Sequence, residues 1–191
     1  MSDSGLGKPA RIFIVEDNDP DVFLVQEALR AEGISAQIQR CHDGEEAIHA
    51  LSQIREADLP DVVIIDLNLP KITGLEILKH ARSLKQLDGV PVLILTSSRS
   101  RVDRDQSLKL GADAYIAKPS TLSEFLSTVG SGIGALLERK RKDAGAWLHH
   151  THHSRRLRIQ LRRIRRANRH QAAREIWQGN EIIPHAPPYA L

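Results

Sequence analysis

The chain has 191 residues, 27 Lys and Arg against 24 Asp and Glu, a net charge of +3, 41 % apolar side chains and one cysteine. That apolar share supports a core and excludes a chain disordered throughout; the single Cys41 excludes an intrachain disulfide or a cysteine zinc site. No apolar run reaches the roughly 18 residues of a membrane span, and MSDSGLGKPARIFIVEDN lacks the apolar stretch of a secretory signal, so a cytoplasmic protein is expected.

In chain order, Arg11–Val15 is a β-branched run that stops at acids. Pro20 suits the first turn of a helix, with Val22, Leu24, Val25, Ala28 and Leu29 as its apolar stripe and Gly33 as its end. Asp19 is expected to cap that helix. Ala36–Cys41 alternates as a short strand. Asp43-Gly-Glu-Glu46 opens a second helix through Ala47, Ile48, Leu51 and Ile54. Asp61–Ile65 is apolar on both faces, as a buried parallel strand requires. The loop Asp66–Thr73 leads into a helix over Gly74–Leu84. Val90–Leu95 is another apolar strand, followed by the polar loop Thr96–Arg101, a helix over Val102–Leu110 and Gly111. Ala114–Ala117 is a fifth strand, and Thr121-Leu-Ser-Glu124 caps a helix running to about Val129 or beyond.

Five strands alternating with five helices predict an α/β fold, (βα)5, with a doubly wound five-stranded parallel sheet. The charge is uneven along it. Residues 1–130 hold 14 Lys and Arg against 20 Asp and Glu, a net of −6; residues 131–191 hold 13 against 4, a net of +9. Two parts are therefore expected: a folded domain over 9–130, and a basic Arg- and His-rich extension over 131–191, helical or disordered. Gly130, Gly132 and Gly134 disfavour helix at that junction.

Ligands of such sheets sit beyond the carboxyl ends of the strands. There the order of elements gathers Glu16, Asp17 and Asp19, then Asp66, then Thr96 and Ser97, then Lys118-Pro119. Clustered carboxylates repel one another or hold a hard cation, and Mg²⁺ suits an open oxygen site that also takes a phosphate. Asp66 is then placed as an oxygen nucleophile, with Lys118 and Thr96 to balance charge on a phosphoryl group.

Ile14-Val-Glu-Asp-Asn18, Ile65-Asp-Leu-Asn-Leu-Pro70 with Gly74, Leu95-Thr-Ser97 and Ala117-Lys-Pro119 resemble the receiver domain of bacterial two-component response regulators, over roughly residues 9–130. The resemblance implies a CheY-like, flavodoxin-like strand order of 2-1-3-4-5. It makes Asp66 the phospho-acceptor, Glu16 and Asp17 the acidic pair with Asp17 a direct Mg²⁺ ligand, and Asn68 the donor of a backbone carbonyl to that metal. Thr96 and Tyr115 become a switch pair, Lys118 the phosphoryl-pairing lysine before a cis proline bond, and Ser97 the small residue beside the phosphoryl path. A sensor histidine kinase is the implied partner, and a homodimer is a further expectation. Glu16-Asp17, Asp43-Gly-Glu-Glu-Ala47 and Leu67-Asn-Leu-Pro70 look like the small regulators of phytochrome-type kinases, although the aromatic end of their last helix is missing here.

Bland readings stand beside these. Cys41 reads as a buried spectator, and His42, His49 and His80 as surface residues. His149, His150, His152 and His153 read as a solvated tract before a metal site. Leu157, Leu161, Ile164, Asn168 and Gln171 form a narrow stripe in an arginine field. Four readings compete for it: binding nucleic acid through phosphates, lying on an anionic membrane, folding back on the acidic domain, or remaining a solvated tail. A phosphatase of the haloacid-dehalogenase type needs a second aspartate two residues after the nucleophile, where Asn68 stands. The expected protein is a signalling module rather than a metabolic enzyme.

Overall fold

The computed structural model describes residues 8–148. The histidine tract and the arginine-rich stripe lie outside the described residues. Five parallel strands form one sheet: β1 (Ala10–Val15), β2 (Ala36–Cys41), β3 (Val62–Ile65), β4 (Val92–Thr96) and β5 (Ala114–Ala117), in the order β2-β1-β3-β4-β5. The helices are α1 (Asp19–Ala31), α2 (Gly44–Gln53), α3 (Gly74–Ser83), α4 (Arg101–Lys109) and α5 (Leu122–Leu148). Every predicted strand and helix is present. Two short 3-10 turns, Glu56–Asp58 and Lys85–Leu87, were not foreseen.

The unbroken apolar runs are explained by the two-sided burial of a parallel sheet. Successive side chains alternate faces. Phe13, Val15, Val63, Ile65, Val92, Ile94 and Tyr115 pack on one side with Ala47, Leu51, Ile77, Leu78 and Ala81 of α2 and α3. Ile12, Ile14, Val62, Ile64, Leu93 and Leu95 pack on the other with Val22, Val25, Ala28 and Leu29 of α1 and with α5.

Caps follow the sequence with one exception. The Asp43 carboxylate accepts from Glu46 N at 2.9 Å, and Glu46 accepts in return from His42 N at 2.7 Å. Thr73 and Glu76 form a capping box on α3. Asp19 does not cap α1: Asn18 holds the N-cap position without a side-chain bond, and the Asp19 carboxylate turns to Arg40. A guanidinium within reach outcompetes the backbone amide for that exposed acid.

The largest departure is α5, a single helix of 27 residues. It passes through residue 130, where the change in composition suggested a junction. Gly130 and Gly132 serve close packing: a Cβ on Gly130 would stand 2.7 Å from Ala28 O, and one on Gly132 would stand 2.7 Å from Ile116 Cδ1. Beyond them Ile133, Leu136 and Leu137 are buried in the core. Arg139 pairs with the buried Asp113 at 2.5 Å, and Lys140 bonds Pro60 O at 2.6 Å and Asp61 at 3.0 Å. Part of the basic charge counted in the extension thus neutralises acids of the domain itself.

Candidate functional site

The carboxyl ends of β1, β3, β4 and β5 carry the site. β1 delivers Glu16 and β3 delivers Asp66; they are 3 % and 4 % exposed, rare for carboxylates without partners. Each divides its two oxygens in the same way. One oxygen accepts from the backbone amide two residues on: Glu16 Oε1 from Asn18 N at 3.2 Å, and Asp66 Oδ1 from Asn68 N at 2.9 Å. The other accepts from Lys118 Nζ, at 2.8 Å for Glu16 and 2.7 Å for Asp66. Asp66 is further fixed by a close backbone approach: a Cβ on Gly74 would fall 2.1 Å from Asp66 O, so only glycine fits.

Lys118 has a third partner that the sequence reading missed, Asp21 Oδ2 at 2.7 Å. Asp21 lies in the first turn of α1, four residues before the buried Val25, and that helical spacing is the signal that would have pointed inward. Lys118 is anchored at its own backbone as well, through Lys118 N to Thr96 O at 2.7 Å. The Lys118–Pro119 bond is trans, against the cis bond that the resemblance implied. The β4–β5 pairing continues to Lys118, whose ammonium reaches all three acids.

Arg40 on β2 fixes the acidic loop after β1. Its Nε donates to Glu16 O at 2.9 Å and a guanidinium nitrogen to Asp17 O at 3.0 Å, while another meets the Asp19 carboxylate. Asp17 itself, next to Glu16 in the chain, is exposed.

At the end of β4, Thr96 is fully buried. Its Oγ1 accepts from Ser98 N at 3.3 Å and from Asn68 Nδ2 at 3.4 Å. Asn68 Nδ2 also donates to Ser97 Oγ at 2.9 Å, tying the β3 and β4 loops together. Tyr115 is inward, 3 % exposed, with its hydroxyl donating to Ser98 O at 2.9 Å. Ser98 Oγ donates in turn to Asp103 at 2.6 Å.

The electrostatics follow from crowding. Burial raises the Glu16 carboxyl above its usual range, opposed by the Lys118 hydrogen bond and charge and assisted by the charge of Asp66. Burial pulls Lys118 down, but its bonds to Asp21, Asp66 and Glu16 more than offset this and raise it. Burial, against the bond to Ser98, also raises Tyr115. Cys41, buried as expected, has its thiol pushed up to about 12 by burial first and by Glu46 and Asp43 second. Among the described residues no three acidic or imidazole side chains already stand as metal ligands, and Lys118 pairs with three of the acids. The donor set still suits a hard cation: all-oxygen groups, with three carboxylates facing one ammonium and Asp17 open to solvent at its edge.

The sheet order and the Asp–Lys–Thr corner define a CheY-like α/β fold of the phospho-receiver class. A family profile, the response regulator receiver domain, matches residues 12–130. The chain belongs to that family, the signalling modules of two-component phosphorelays. Its relatives include the transcriptional regulatory protein TrcR of Mycobacterium tuberculosis, 37 % identical over 121 residues that make up 63 % of this chain and 44 % of TrcR. The polar-differentiation response regulator DivK of Brucella anthropi is 30 % identical over 66 % of this chain and 98 % of its own length. The match thus spans less than half of TrcR and nearly all of DivK. Among solved structures, the phosphorylated cyanobacterial phytochrome response regulator RcpA aligns with a TM-score of 0.59 and 36 % identity over 65 % of this chain and 91 % of that one. The Mn²⁺-bound response regulator Rcp1 aligns with a TM-score of 0.58 and 32 % identity over 64 % and 91 %.

Proposed function

We propose that Asp66 accepts a phosphoryl group from a phosphohistidine of a sensor histidine kinase, and that Thr96 and Tyr115 read its arrival. The observation that carries this is the 2.7 Å contact of Lys118 Nζ with Asp66 Oδ2 inside a buried acidic pocket. In the transfer the P–N bond of the phosphohistidine breaks, its electron pair stays on the imidazole nitrogen, and an Asp66 oxygen forms the new P–O bond. Lys118 balances the charge gathered on the phosphoryl oxygens, and the Thr96 hydroxyl, whose oxygen already holds two donors, has its proton to give to one of them.

Asp17, Glu16, Asp66 and the Asn68 carbonyl are the groups that would hold Mg²⁺. When bound, the cation offsets the like charge of the carboxylates and the phosphoryl group. The Mn²⁺-bound form of Rcp1 supports a divalent site in this fold, and the likeness to the phytochrome response regulator RcpA supports a phytochrome-type kinase as donor. Among the described residues no helix is long and apolar enough to cross a membrane, which agrees with a cytoplasmic setting.

Beryllofluoride with Mg²⁺ should raise the melting temperature of the wild type, and acetyl phosphate should label it. Asp66→Asn should show neither. Identical behaviour of the two proteins would overturn the assignment.

The other reading, a phosphorylation-regulated binder of nucleic acid or an anionic membrane, draws on the basic stripe beyond residue 148. Arg139 and Lys140, counted toward that charge, are committed to Asp113 and Asp61.

A further inference from the structure

We infer that Asp21 is a positioning residue that parks Lys118 and must release it when a phosphoryl group arrives on Asp66. The inference rests on the proposed role of Asp66 and adds a residue to it.

An ammonium has three N–H donors. Here all three are used, on Glu16, Asp21 and Asp66 at 2.7 to 2.8 Å. A phosphoryl group on Asp66 presents three charged oxygens to Lys118 in place of the single carboxylate oxygen it now holds, so a bond to another acid must be given up as well. The three acids are unequal in what they lose. The side chains of Glu16 and Asp66 are 3 % and 5 % exposed, and neither can turn to water without opening the core. The Asp21 side chain is 23 % exposed at the rim, on the first turn of α1, where water can replace the ammonium. Releasing the rim acid costs least, because an uncompensated charge is far cheaper near solvent than in the interior. The helix terminus helps, since α1 presents its positive N-terminal end to Asp21 whether or not Lys118 is bound.

Two consequences follow. In the unphosphorylated protein Asp21 occupies one of the three N–H donors of Lys118, and so competes with phosphoryl oxygens for it. On capture the carboxylate of Asp21 is freed into solvent, which marks the change on α1 as well as at Thr96 and Tyr115. Asp21 touches neither the phosphoryl group nor the attacking oxygen; it acts through Lys118.

The test is beryllofluoride affinity at saturating Mg²⁺ in the full chain. Asp21→Asn removes the parking charge at nearly constant shape and should bind beryllofluoride about threefold to fivefold more tightly, the range of a partly exposed ion pair. Asp21→Glu keeps the charge and should restore the wild-type affinity. The gain should persist in 0.5 M KCl (about a 4 Å screening length), which separates a contact from a long-range charge effect. In the wild type, the ¹³C carboxyl resonance of Asp21 should move when beryllofluoride is added. Unchanged or weaker binding by Asp21→Asn, a gain abolished by KCl, or a stationary Asp21 resonance would each overturn the inference. Failure of the wild type to bind beryllofluoride would instead overturn the role of Asp66.

Discussion

Lys118 carries the site at the scale of single residues. Among the described residues it is the cation paired with the carboxylates of both Glu16 and Asp66, each nearly sealed from water. Removing it leaves buried carboxylates uncompensated, an outcome that costs about 3–5 kcal/mol when a buried pair is broken. The cost depends on pH. Glu16 already titrates above its ordinary value in the folded protein, so the folded state binds more protons there than the unfolded state. Stability from this group therefore falls as pH rises through the window from 4.5 upward. Lys118→Met should widen that window, because the hydrogen bond that lowers Glu16 is gone. Urea denaturation should show Lys118→Met losing about 3 kcal/mol or more near pH 7.5 and clearly less near pH 5. An equal loss at both pH values would contradict this account.

The residues of this corner differ in how far the sequence betrays them. Glu16, Asp66, Thr96 and Lys118 stand directly at strand ends, where the element pattern alone puts them on one edge. Asp21 and Arg40 do not. Asp21 sits inside a helix and Arg40 inside an alternating edge strand, so their direction depends on the angle at which α1 and β2 meet the sheet. Asp19, the more obvious acid, pairs with Arg40 because Arg40 is near enough to take it. Local propensity predicted a cap; tertiary reach decided otherwise.

At the scale of elements, α5 shows what glycine means in context. In an exposed helix a glycine costs about 1 kcal/mol relative to alanine, and on that basis three glycines in five residues suggested a boundary. Two of them instead let α5 sink against α1 and β5. Gly130→Ala should destabilise the protein, by about 1–3 kcal/mol, because its Cβ would meet the Ala28 carbonyl at 2.7 Å. Gly134→Ala should do the opposite. Its Cβ would make an ordinary 3.5 Å contact with Ile34, so the helix gains about 0.5–1 kcal/mol. Thermal melts of the two variants should shift in opposite directions; parallel shifts would refute the packing explanation. The strands were more legible than this helix, since a run apolar on both faces has few other uses than a covered parallel sheet.

For the whole molecule, sequence likeness and structural integrity end at different places. The family profile stops at residue 130, yet Ile133, Leu136 and Leu137 fill the core on the α1 side of the sheet. Arg139 and Lys140 then close the edge opposite the site, on Asp113 and Asp61. A chain ending at residue 130 should melt far below one ending at residue 143, or fail to fold. Circular dichroism of the two lengths checks this, and equal melting would make the last turns of α5 dispensable. The charge pattern hid this extent: Arg139 and Lys140 read as members of a basic run, and only the fold reveals two acids waiting for them.

The same helix sets a distance. At 1.5 Å per residue, 27 residues reach about 40 Å, about the width of a domain of this size. α5 starts four residues after Lys118 and leaves the domain at the opposite end. Phosphoryl delivered to Asp66, as proposed, arrives at one pole of the domain, and the described residues end toward the other, past the contacts of Lys140 with Pro60 and Asp61.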